Sequence, residues 1–299
     1  MCKLVSVIVP CYNSEKFIQE SLFSVLSQSY RDREVICIDD GSKDSTKEVI
    51  QKVAALDERV LYIYQENTGV AIARNNAVNL SHGEYIVFID SDDLISPNFV
   101  ESLVNAIETT GCDVATPFFY KFEKPFDMQL CTPRVPSKFR MSSDNVCVCA
   151  SLFRKADFIR LGGFDAVTFK QGFEDYDLWL NFISHGLKIV RVKEAFSFYR
   201  QHGDGSSFNA GALKVMAELN QKLKDKYPFV KKYQLLNKFT YIFTNFNEIP
   251  PKLMPLIPHG LKRLFSKISR FVFRKKVEKG YTHYKIFKLI SFKLRKYEV

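Results

Sequence analysis

The chain has 299 residues, a formal net charge of +10 and 46% hydrophobic residues, which is enough for one large domain or two smaller ones with a real core. No apolar run reaches the roughly 18 residues of a membrane-spanning helix. The short N-terminal run lacks a small-residue cleavage site and is better interpreted as a strand than as a signal peptide. The seven cysteines are scattered and odd in number, which favours reduced thiols in a cytosolic protein.

The first ninety or so residues alternate between strand and helix patterns. Apolar runs rich in β-branched residues predict strands at 4–10, 33–42, 59–65 and 84–90. The segments between them predict helices within 13–29, at 45–55 and, after a turn, within 67–81, with Ser14 as a candidate cap of the first helix. Alternation of nearly unbroken apolar strands with helices predicts a parallel sheet that is covered on both faces.

The pattern is looser beyond residue 112. We expect a strand at 113–122, a long proline-containing loop at 123–145, a strand at 145–153, and a helix at about 174–185 followed by another strand. Cys147 and Cys149 are expected on a buried strand rather than in a metal site, because no second cysteine pair exists to complete one. Helices are predicted at 208–245, and a proline-rich linker follows at 247–258.

Polar residues follow three of the predicted strands. Tyr12 and Asn13 follow the first strand, Asp39 and Asp40 end the second, and the segment 90–93, "DSDD", follows the fourth. Ligands of open α/β sheets bind at the carboxyl ends of the strands. Clustered carboxylates there suit a hard cation such as Mg²⁺ or Mn²⁺ together with substrate phosphates. Taken alone, "DSDD" is equally consistent with a simple turn or a helix cap.

Five segments in a fixed order carry a family resemblance. They are "SVIVPCYNSEKFIQESLFSVLSQSY", "VICIDDGSKDST", "NTGVAIARNNAV", "GEYIVFIDSDD", and "GGFD" followed by "FEDYDLWL". Over about residues 4–205 the chain resembles the inverting nucleotide-sugar glycosyltransferases of family 2, which have the GT-A fold, and especially the bacterial members that build surface polysaccharides. The resemblance implies a Rossmann-like, mostly parallel sheet covered by helices in a catalytic domain at 1–207. Its nucleotide-binding half would be about 1–95 and its acceptor half about 96–207.

The resemblance assigns a nucleotide-sugar site to eight residues: Pro10, Tyr12, Asn13, Asp39, Asp40, Arg74, Asp90 and Ser91. It implies that the Tyr12 ring lies near the base and that Asp40, with Asp39 beside it, accepts a hydrogen bond from the uracil imide. Arg74 would approach the base or the diphosphate. Asp90 would contact the ribose or the water shell of a metal.

A divalent cation, Mn²⁺ or Mg²⁺, is the implied cofactor. By resemblance Asp92 would be a direct ligand, and His202, in "YRQHGDGSS", would complete the site from a loop whose glycines allow it to close over the donor. The sequence leaves open whether Asp92 or Asp93 contributes more. A single histidine in a loop is also consistent with a plain surface residue.

The "ED" pair carries the catalytic prediction. Inversion needs one general base to deprotonate the acceptor hydroxyl as it attacks the anomeric carbon. The resemblance gives this role to Asp175, with Glu174 as a supporting acid, and the N-terminus of their helix would keep the base ionised. The alternative is that both simply favour a first helical turn. Trp179, flanked by leucines, is expected to pack in the core rather than stack on a sugar.

The C-terminal part is predicted as a helical segment at 208–250 and a basic amphipathic extension at 251–299. The extension carries a net charge of +12, whereas the rest of the chain carries −2. Basic amphipathic helices with aromatic residues suit the surface of an anionic membrane, which predicts a cytoplasmic enzyme peripheral on the inner face of the cell membrane. A helical cap on the domain and nucleic-acid binding are the alternatives; the near-neutral body argues against nucleic acid.

Together these patterns predict a metal-dependent inverting glycosyltransferase. It would move glucose, galactose or an N-acetylamino form of either from a UDP-sugar to a growing, lipid-linked surface glycan. One alternative is a non-catalytic protein that binds nucleotide sugars or acts as a scaffold in a glycan assembly complex. A sugar-phosphate nucleotidyltransferase is disfavoured, because the first strand is not followed by a glycine-rich basic loop.

Overall fold

The computed structural model describes residues 3–123, 127–131, 136–170, 172–201 and 210–235. Residues up to Val230 form one compact unit. The predicted linker, the basic extension 251–299 and His202 lie outside the described residues. No helix in the described part of the chain is long and apolar enough to cross a membrane.

Nine strands and eight helices are defined within the described residues. The strands are β1 (Val5–Cys11), β2 (Arg33–Asp40), β3 (Val60–Gln65), β4 (Tyr85–Phe88), β5 (Leu94–Ile95), β6 (Val114–Phe122), β7 (Met128–Cys131), β8 (Leu152–Arg154) and β9 (Ile189–Arg200). The helices are α1 (Ile18–Leu26), α2 (Thr46–Ala54), α3 (Val70–Leu80), α4 (Phe99–Thr110), α5 (Lys138–Met141), α6 (Lys155–Arg160), α7 (Glu174–Ser184) and α8 (Ala210–Lys226).

All nine strands belong to one mixed sheet. Its order is β3-β2-β1-β4-β8-β6-β9-β5, with β7 paired to β6. The first four strands are parallel, so that Ile8 of β1 aligns with Ile36 of β2 and Phe88 of β4. Strand β8 runs antiparallel to both β4 and β6. The α/β class and the parallel first half predicted from the sequence are confirmed.

The core explains why the first strands are apolar throughout. All seven residues of β1 are buried. Val7 and Val9 belong to the core layer under α1, α2 and α4, whereas Ile8 belongs to the layer under α3, α6, α7 and α8, as expected for side chains that alternate between two covered faces. Trp179 is fully buried and packs edge-on against Phe153 and Phe182, so its predicted core position is confirmed.

Two local predictions were wrong. The stretch 123–145 contains β7 and α5 rather than only loop, because β7 pairs with β6, a partner that the local pattern does not reveal. The strand expected from residue 145 begins only at Leu152. Cys147 and Cys149 precede it in an irregular segment, which buries Cys147 and leaves Cys149 half-buried. The six described cysteines are free thiols, as expected.

The predicted helix cap at Ser14 was also wrong. Helix α1 begins at Ile18, and no side chain caps it. The Ser14 hydroxyl instead lies 2.7 Å from the Ser91 hydroxyl. Ser14 therefore ties the loop after β1 to the turn at residues 90–93, here called the acidic turn, which follows β4.

Candidate active site

Two neighbouring cavities open at the carboxyl ends of the central strands, and Asp90 lines both. The first, here called the β1–α3 cavity, has a volume of about 370 Å³. It is lined by Pro10, Cys11, Tyr12, Asp40, Asn67, Gly69, Val70, Ala73, Arg74, Asp90 and Ser91. Six of the eight residues predicted for a nucleotide-sugar site are in this set. Asn13 and Asp39 are not.

Asn13 and Asp39 hold the backbone around the cavity. The two carboxylate oxygens of the buried Asp39 accept hydrogen bonds from the Ser42 amide and the Tyr62 hydroxyl, both at 2.8 Å. Asn13 adopts a left-handed conformation with φ of 50°, and its side-chain oxygen accepts from the Lys43 amide at 2.9 Å. Asn13 therefore joins the loop after β1 to the turn after β2, and Asp39 ties that turn to β3.

Asp40 fixes the opposite wall. Its carboxylate accepts hydrogen bonds from the backbone amides of Thr68 at 2.9 Å and Gly69 at 2.8 Å. Gly69 has φ of +95°, a conformation that glycine adopts without steric cost. These contacts place the "NTG" turn and the start of α3 beside Asp40, on the wall of the cavity.

Arg74 lies in the wall of the β1–α3 cavity. Only 4% exposed, Arg74 lies against the adjacent rings of Phe88 and Phe164, whose centroids are 5.7 and 5.5 Å from its guanidinium carbon. One terminal nitrogen lies 2.7 Å from an Asp90 carboxylate oxygen, and the other lies 3.1 Å from a Glu174 carboxylate oxygen. One buried cation thus joins the acidic turn after β4 to the start of α7.

The second cavity, here called the β6–α7 cavity, has a volume of about 430 Å³ and contains Asp175 in its wall. Its other lining residues are Ile89, Asp90, Asp93, Ile95, Phe119, Cys131, Asp144, Asn145, Val146, Cys147, Val148, Cys149, Ala150, Ser197 and Tyr199. Apolar walls with a few convergent carboxylates and an amide are the usual composition of a ligand pocket.

Asp175 is held at the start of α7 in an environment that disfavours its charge. Its side chain accepts hydrogen bonds from the Asn145 side-chain amide at 2.9 Å and from the Tyr176 backbone amide at 2.7 Å. Burial, and next the neighbouring Glu174 carboxylate, raise the pKa of Asp175 to about 6. The protein therefore supplies a carboxylate that accepts protons more readily than an ordinary aspartate.

The acidic turn after β4 is pinned by Arg200 at the end of β9. The Arg200 amide donates to the Asp93 carboxylate and its Nε donates to the Asp92 carbonyl, both at 2.9 Å. The Arg200 guanidinium lies over the rings of Phe17 and Phe122. Burial, and then the Asp90 carboxylate, raise the pKa of Asp93 to about 8. Arg200 and Asn145 were missed by the sequence prediction; the "YR" strand end was the only available signal, and it points to Arg200.

The carboxylates of the acidic turn decide whether the site suits a divalent cation. Within the described residues no group of three His, Cys, Asp or Glu side chains is arranged to hold a metal. The carboxylates of residues 90–93 nevertheless crowd one turn, and the raised pKa of Asp93 shows that negative charge there is unfavourable. Mg²⁺ commonly takes only one or two protein carboxylates and completes its shell with phosphate oxygens and water. The turn fits a cation of that kind.

Two models of known protein families match the chain. The model of glycosyl transferase family 2 matches residues 6–157, and a model described as the N-terminal domain of galactosyltransferase matches residues 133–203. The chain belongs to glycosyltransferase family 2. The family resemblance found in the sequence is confirmed.

Curated relatives include proteins that are named as glycosyltransferases. Glycosyltransferase GlyA of Streptococcus pneumoniae is 35% identical over 149 residues, covering 50% of this chain and 21% of that protein. The Escherichia coli protein WfaP, named as a UDP-Glc:alpha-D-GlcNAc-diphosphoundecaprenol beta-1,3-glucosyltransferase, is 30% identical over 211 residues, covering 69% of this chain and 81% of WfaP. The matched part of this chain spans less than half of the length of several curated relatives, between 21% and 42%.

Solved structures share the fold. Staphylococcus aureus TarS, crystallised with UDP-GlcNAc, superimposes with a TM-score of 0.61 over 84% of this chain and 77% of the TarS chain, at 20% sequence identity. The predicted GT-A fold is confirmed by this likeness.

Proposed function

We propose that this chain is an inverting glycosyltransferase that uses a UDP-sugar as donor. The observation that carries the proposal is the position of Asp90 between the β1–α3 cavity and the β6–α7 cavity. A diphosphate in the first cavity and an acceptor hydroxyl in the second would meet there. The name of WfaP gives UDP-Glc as its donor, and TarS was crystallised with UDP-GlcNAc. These names support glucose or N-acetylglucosamine as the donor sugar, and the match to a galactosyltransferase domain model extends the proposal to galactose and its N-acetylamino form.

In the proposed donor complex, the nucleotide occupies the β1–α3 cavity. The half-exposed ring of Tyr12 offers a stacking surface for the base, and Asp40 offers carboxylate oxygens to the uracil imide. Arg74 and Asp90 lie toward the diphosphate. A divalent cation, Mn²⁺ or Mg²⁺, held at the acidic turn with Asp92 and His202 as proposed ligands, would neutralise charge on the leaving diphosphate.

In the proposed reaction Asp175 is the general base. The acceptor oxygen attacks the anomeric carbon from the β6–α7 cavity, the bond to the diphosphate oxygen breaks on the opposite face, and the hydroxyl proton passes to Asp175. Its pKa of about 6 brings it near the working pH, which favours proton transfer. Asn145 orients the carboxylate. Glu174, predicted as a supporting acid, is paired with Arg74 and would act by holding that cation in place.

The acceptor is proposed to be a growing surface glycan on a lipid carrier at the inner face of the cell membrane. Support comes from the diphosphoundecaprenol in the name of WfaP and from the +12 charge of the extension 251–299, which suits anionic lipid. The alternative, a non-catalytic protein that binds nucleotide sugars, would bind donors without turnover. A catalytic role is favoured by the ion pair between Arg74 and Asp90 and by the raised pKa of Asp175.

Equilibrium binding tests the donor assignment. UDP, CDP, GDP and ADP are titrated calorimetrically into the wild type, Tyr12→Ala and Tyr64→Ala. Tyr64 is the matched control, because its ring is 58% exposed against 52% for Tyr12 and it lines neither cavity. We expect UDP to bind most tightly and only Tyr12→Ala to weaken it, by about tenfold for a lost stacking contact of about 1–2 kcal/mol. Equal affinities for all four nucleotides would contradict the assignment.

A further inference from the structure

The first turn of α7 contains a third acidic residue, Asp177, that neither cavity uses. Asp177 is 1% exposed. One of its carboxylate oxygens lies 2.9 Å from the ammonium of Lys226, and the other accepts a hydrogen bond from the Tyr227 hydroxyl at 2.8 Å. Lys226 ends α8 and Tyr227 follows it directly. The end of α8 is therefore bound to the beginning of the helix that carries Asp175.

Helix α7 needs such contacts because its N-terminal end lacks a capping side chain. The preceding residue, Phe173, has a left-handed φ of 66°, which is unfavourable for a bulky side chain, and no side chain caps the helix. An uncapped helix end frays unless other contacts hold it. The position of the first turn therefore depends on the partners of its acidic side chains.

Each acidic side chain of the first turn is held by a different part of the fold. Arg74 of α3 binds Glu174, and Asn145 binds Asp175. Residues advance by about 100° around a helix, so Asp177 points roughly opposite to Asp175. The α8 contacts thus hold the turn from the side away from the β6–α7 cavity.

Lys226 also binds a second element. Its ammonium lies 2.8 Å from an Asp165 carboxylate oxygen and 5.3 Å from the centroid of the Phe169 ring. Lys222, one turn earlier in α8, donates to the Thr168 carbonyl at 3.2 Å. The same lysine therefore has two carboxylate partners, of which only Asp177 belongs to α7, and this difference provides a control.

We propose that Asp177 is a positioning residue, through which Lys226 and Tyr227 at the end of α8 hold Asp175 in its working place. The inference rests on the proposed function, because it takes Asp175 as the general base. It gives the helical segment after residue 207 a part in the reaction: loosening the clasp formed by Asp177, Lys226 and Tyr227 shifts the base relative to Asp90. Such a shift lowers the rate of transfer and leaves the β1–α3 cavity intact.

The test uses the full chain and its best UDP-sugar. The variants are Lys226→Met, Tyr227→Phe and Asp177→Asn, with Lys226→Arg as the conservative replacement and Asp165→Asn as the matched control. For each, kcat and donor KM for UDP release, the Kd for UDP and the melting temperature are measured. We expect kcat to fall at least about tenfold in the first three variants, since displacement of a catalytic group by about 1 Å can cost 100-fold. Affinity for UDP should change less than about twofold.

The controls separate positioning from plain stability. Lys226→Arg should restore most of kcat, and Asp165→Asn should keep kcat within about threefold although it removes an ion pair from the same ammonium. Lower melting temperatures with unchanged kcat well below melting would overturn the inference, as would an equal loss in Asp165→Asn. If Asp177→Asn does not fold, Tyr227→Phe decides. An inactive wild type would overturn the proposed function and this inference together, whereas an active wild type with active clasp variants overturns this inference alone.

Discussion

Arg74 and Asp90 form an ion pair, 2.7 Å between nitrogen and oxygen, at the boundary of the two cavities. The arginine is buried against two aromatic rings, and the side chain of Asp90, which lines both cavities, remains 36% exposed. An arginine cannot lose its charge in a protein. Arg74 is therefore a fixed cation at the place where the diphosphate of a donor would leave.

Arg74→Met should destabilise the fold. The substitution leaves the carboxylates of Asp90 and Glu174 without their shared cation. Breaking a buried pair costs about 3–5 kcal/mol, and we expect about 2–4 kcal/mol here because the Asp90 side chain is partly solvated. Urea unfolding measures the change.

Arg160→Met is the matched control for Arg74→Met. Arg160 forms a 2.6 Å pair with Asp157, but its side chain is 55% exposed, so its loss should cost less than about 1 kcal/mol. Equal effects of the two substitutions would show that burial of Arg74 does not matter for stability.

The rate of sugar transfer should depend on the ionisation of Asp175. The base is active when deprotonated, and its pKa is about 6, so kcat should rise from pH 5 to pH 7 with a midpoint near 6. Asp175→Asn should lower kcat by about 10²–10⁴-fold and abolish this acid limb. A pH profile of UDP release in the presence of acceptor measures both. An unchanged acid limb in the variant would assign the titration to another group.

The same pKa predicts an effect of Asp175→Asn on stability. Folding raises the pKa of Asp175 above its ordinary value near 3.8, so its contribution to stability is full below pH 3.8 and is lost as the pH rises through about 6. Asparagine stays neutral throughout. The variant should therefore melt above the wild type at pH 8, and the difference should shrink toward pH 4.

Asp165→Asn provides a control of opposite sign. Burial raises the pKa of Asp165, but hydrogen bonds from Lys226 and Thr168 lower it overall. The stabilising charge of Asp165 is present at pH 8 and lost as the pH falls through its lowered folded value. This variant should melt below the wild type at pH 8. Melting curves that move in the same direction for both variants would contradict the assigned environments.

Gly41→Ala should impair both stability and nucleotide binding. Gly41 has φ of +82°, and a Cβ there would lie 2.9 Å from the backbone nitrogen of Asn67. Asn67 lines the β1–α3 cavity, so the clash deforms the wall of the cavity. We expect a loss of about 1–3 kcal/mol and weaker UDP binding. Gly186→Ala is the control, since Gly186 has φ of +86° and open space around it: it should lose stability without losing affinity for UDP.

The sequence predicted those parts of the structure that local patterns determine. The strands β1 to β4 are runs of mostly apolar residues, and in β1, β2 and β4 alternate side chains enter two core layers, so the presence and parallel direction of these strands could be inferred. The clustering of Tyr12, Asp40 and Asp90 followed from the rule that parallel strands end at one edge. Helix α7 was predicted with its start at Glu174.

The remaining features depend on contacts between distant segments. Strand β8 inserts antiparallel between β4 and β6, and nothing in its three residues specifies those partners. Asn145 reaches Asp175 from an irregular segment. Arg74, expected to approach the base or the diphosphate, also pairs with Glu174, one hundred positions later in the chain. These pairings arise from packing, which a one-dimensional pattern does not encode.

The donor and the base are tested together by measuring release of UDP from a panel of UDP-sugars, with and without acceptor. The wild type and Asp175→Asn are compared, each with Mn²⁺, Mg²⁺ or EDTA. Slow hydrolysis without acceptor is expected from a real donor site. We expect cation-dependent turnover of one donor by the wild type and a large loss of acceptor-dependent transfer in Asp175→Asn. Absence of turnover and of binding for every UDP-sugar would contradict the donor assignment, and equal rates in the two proteins would contradict the role of Asp175.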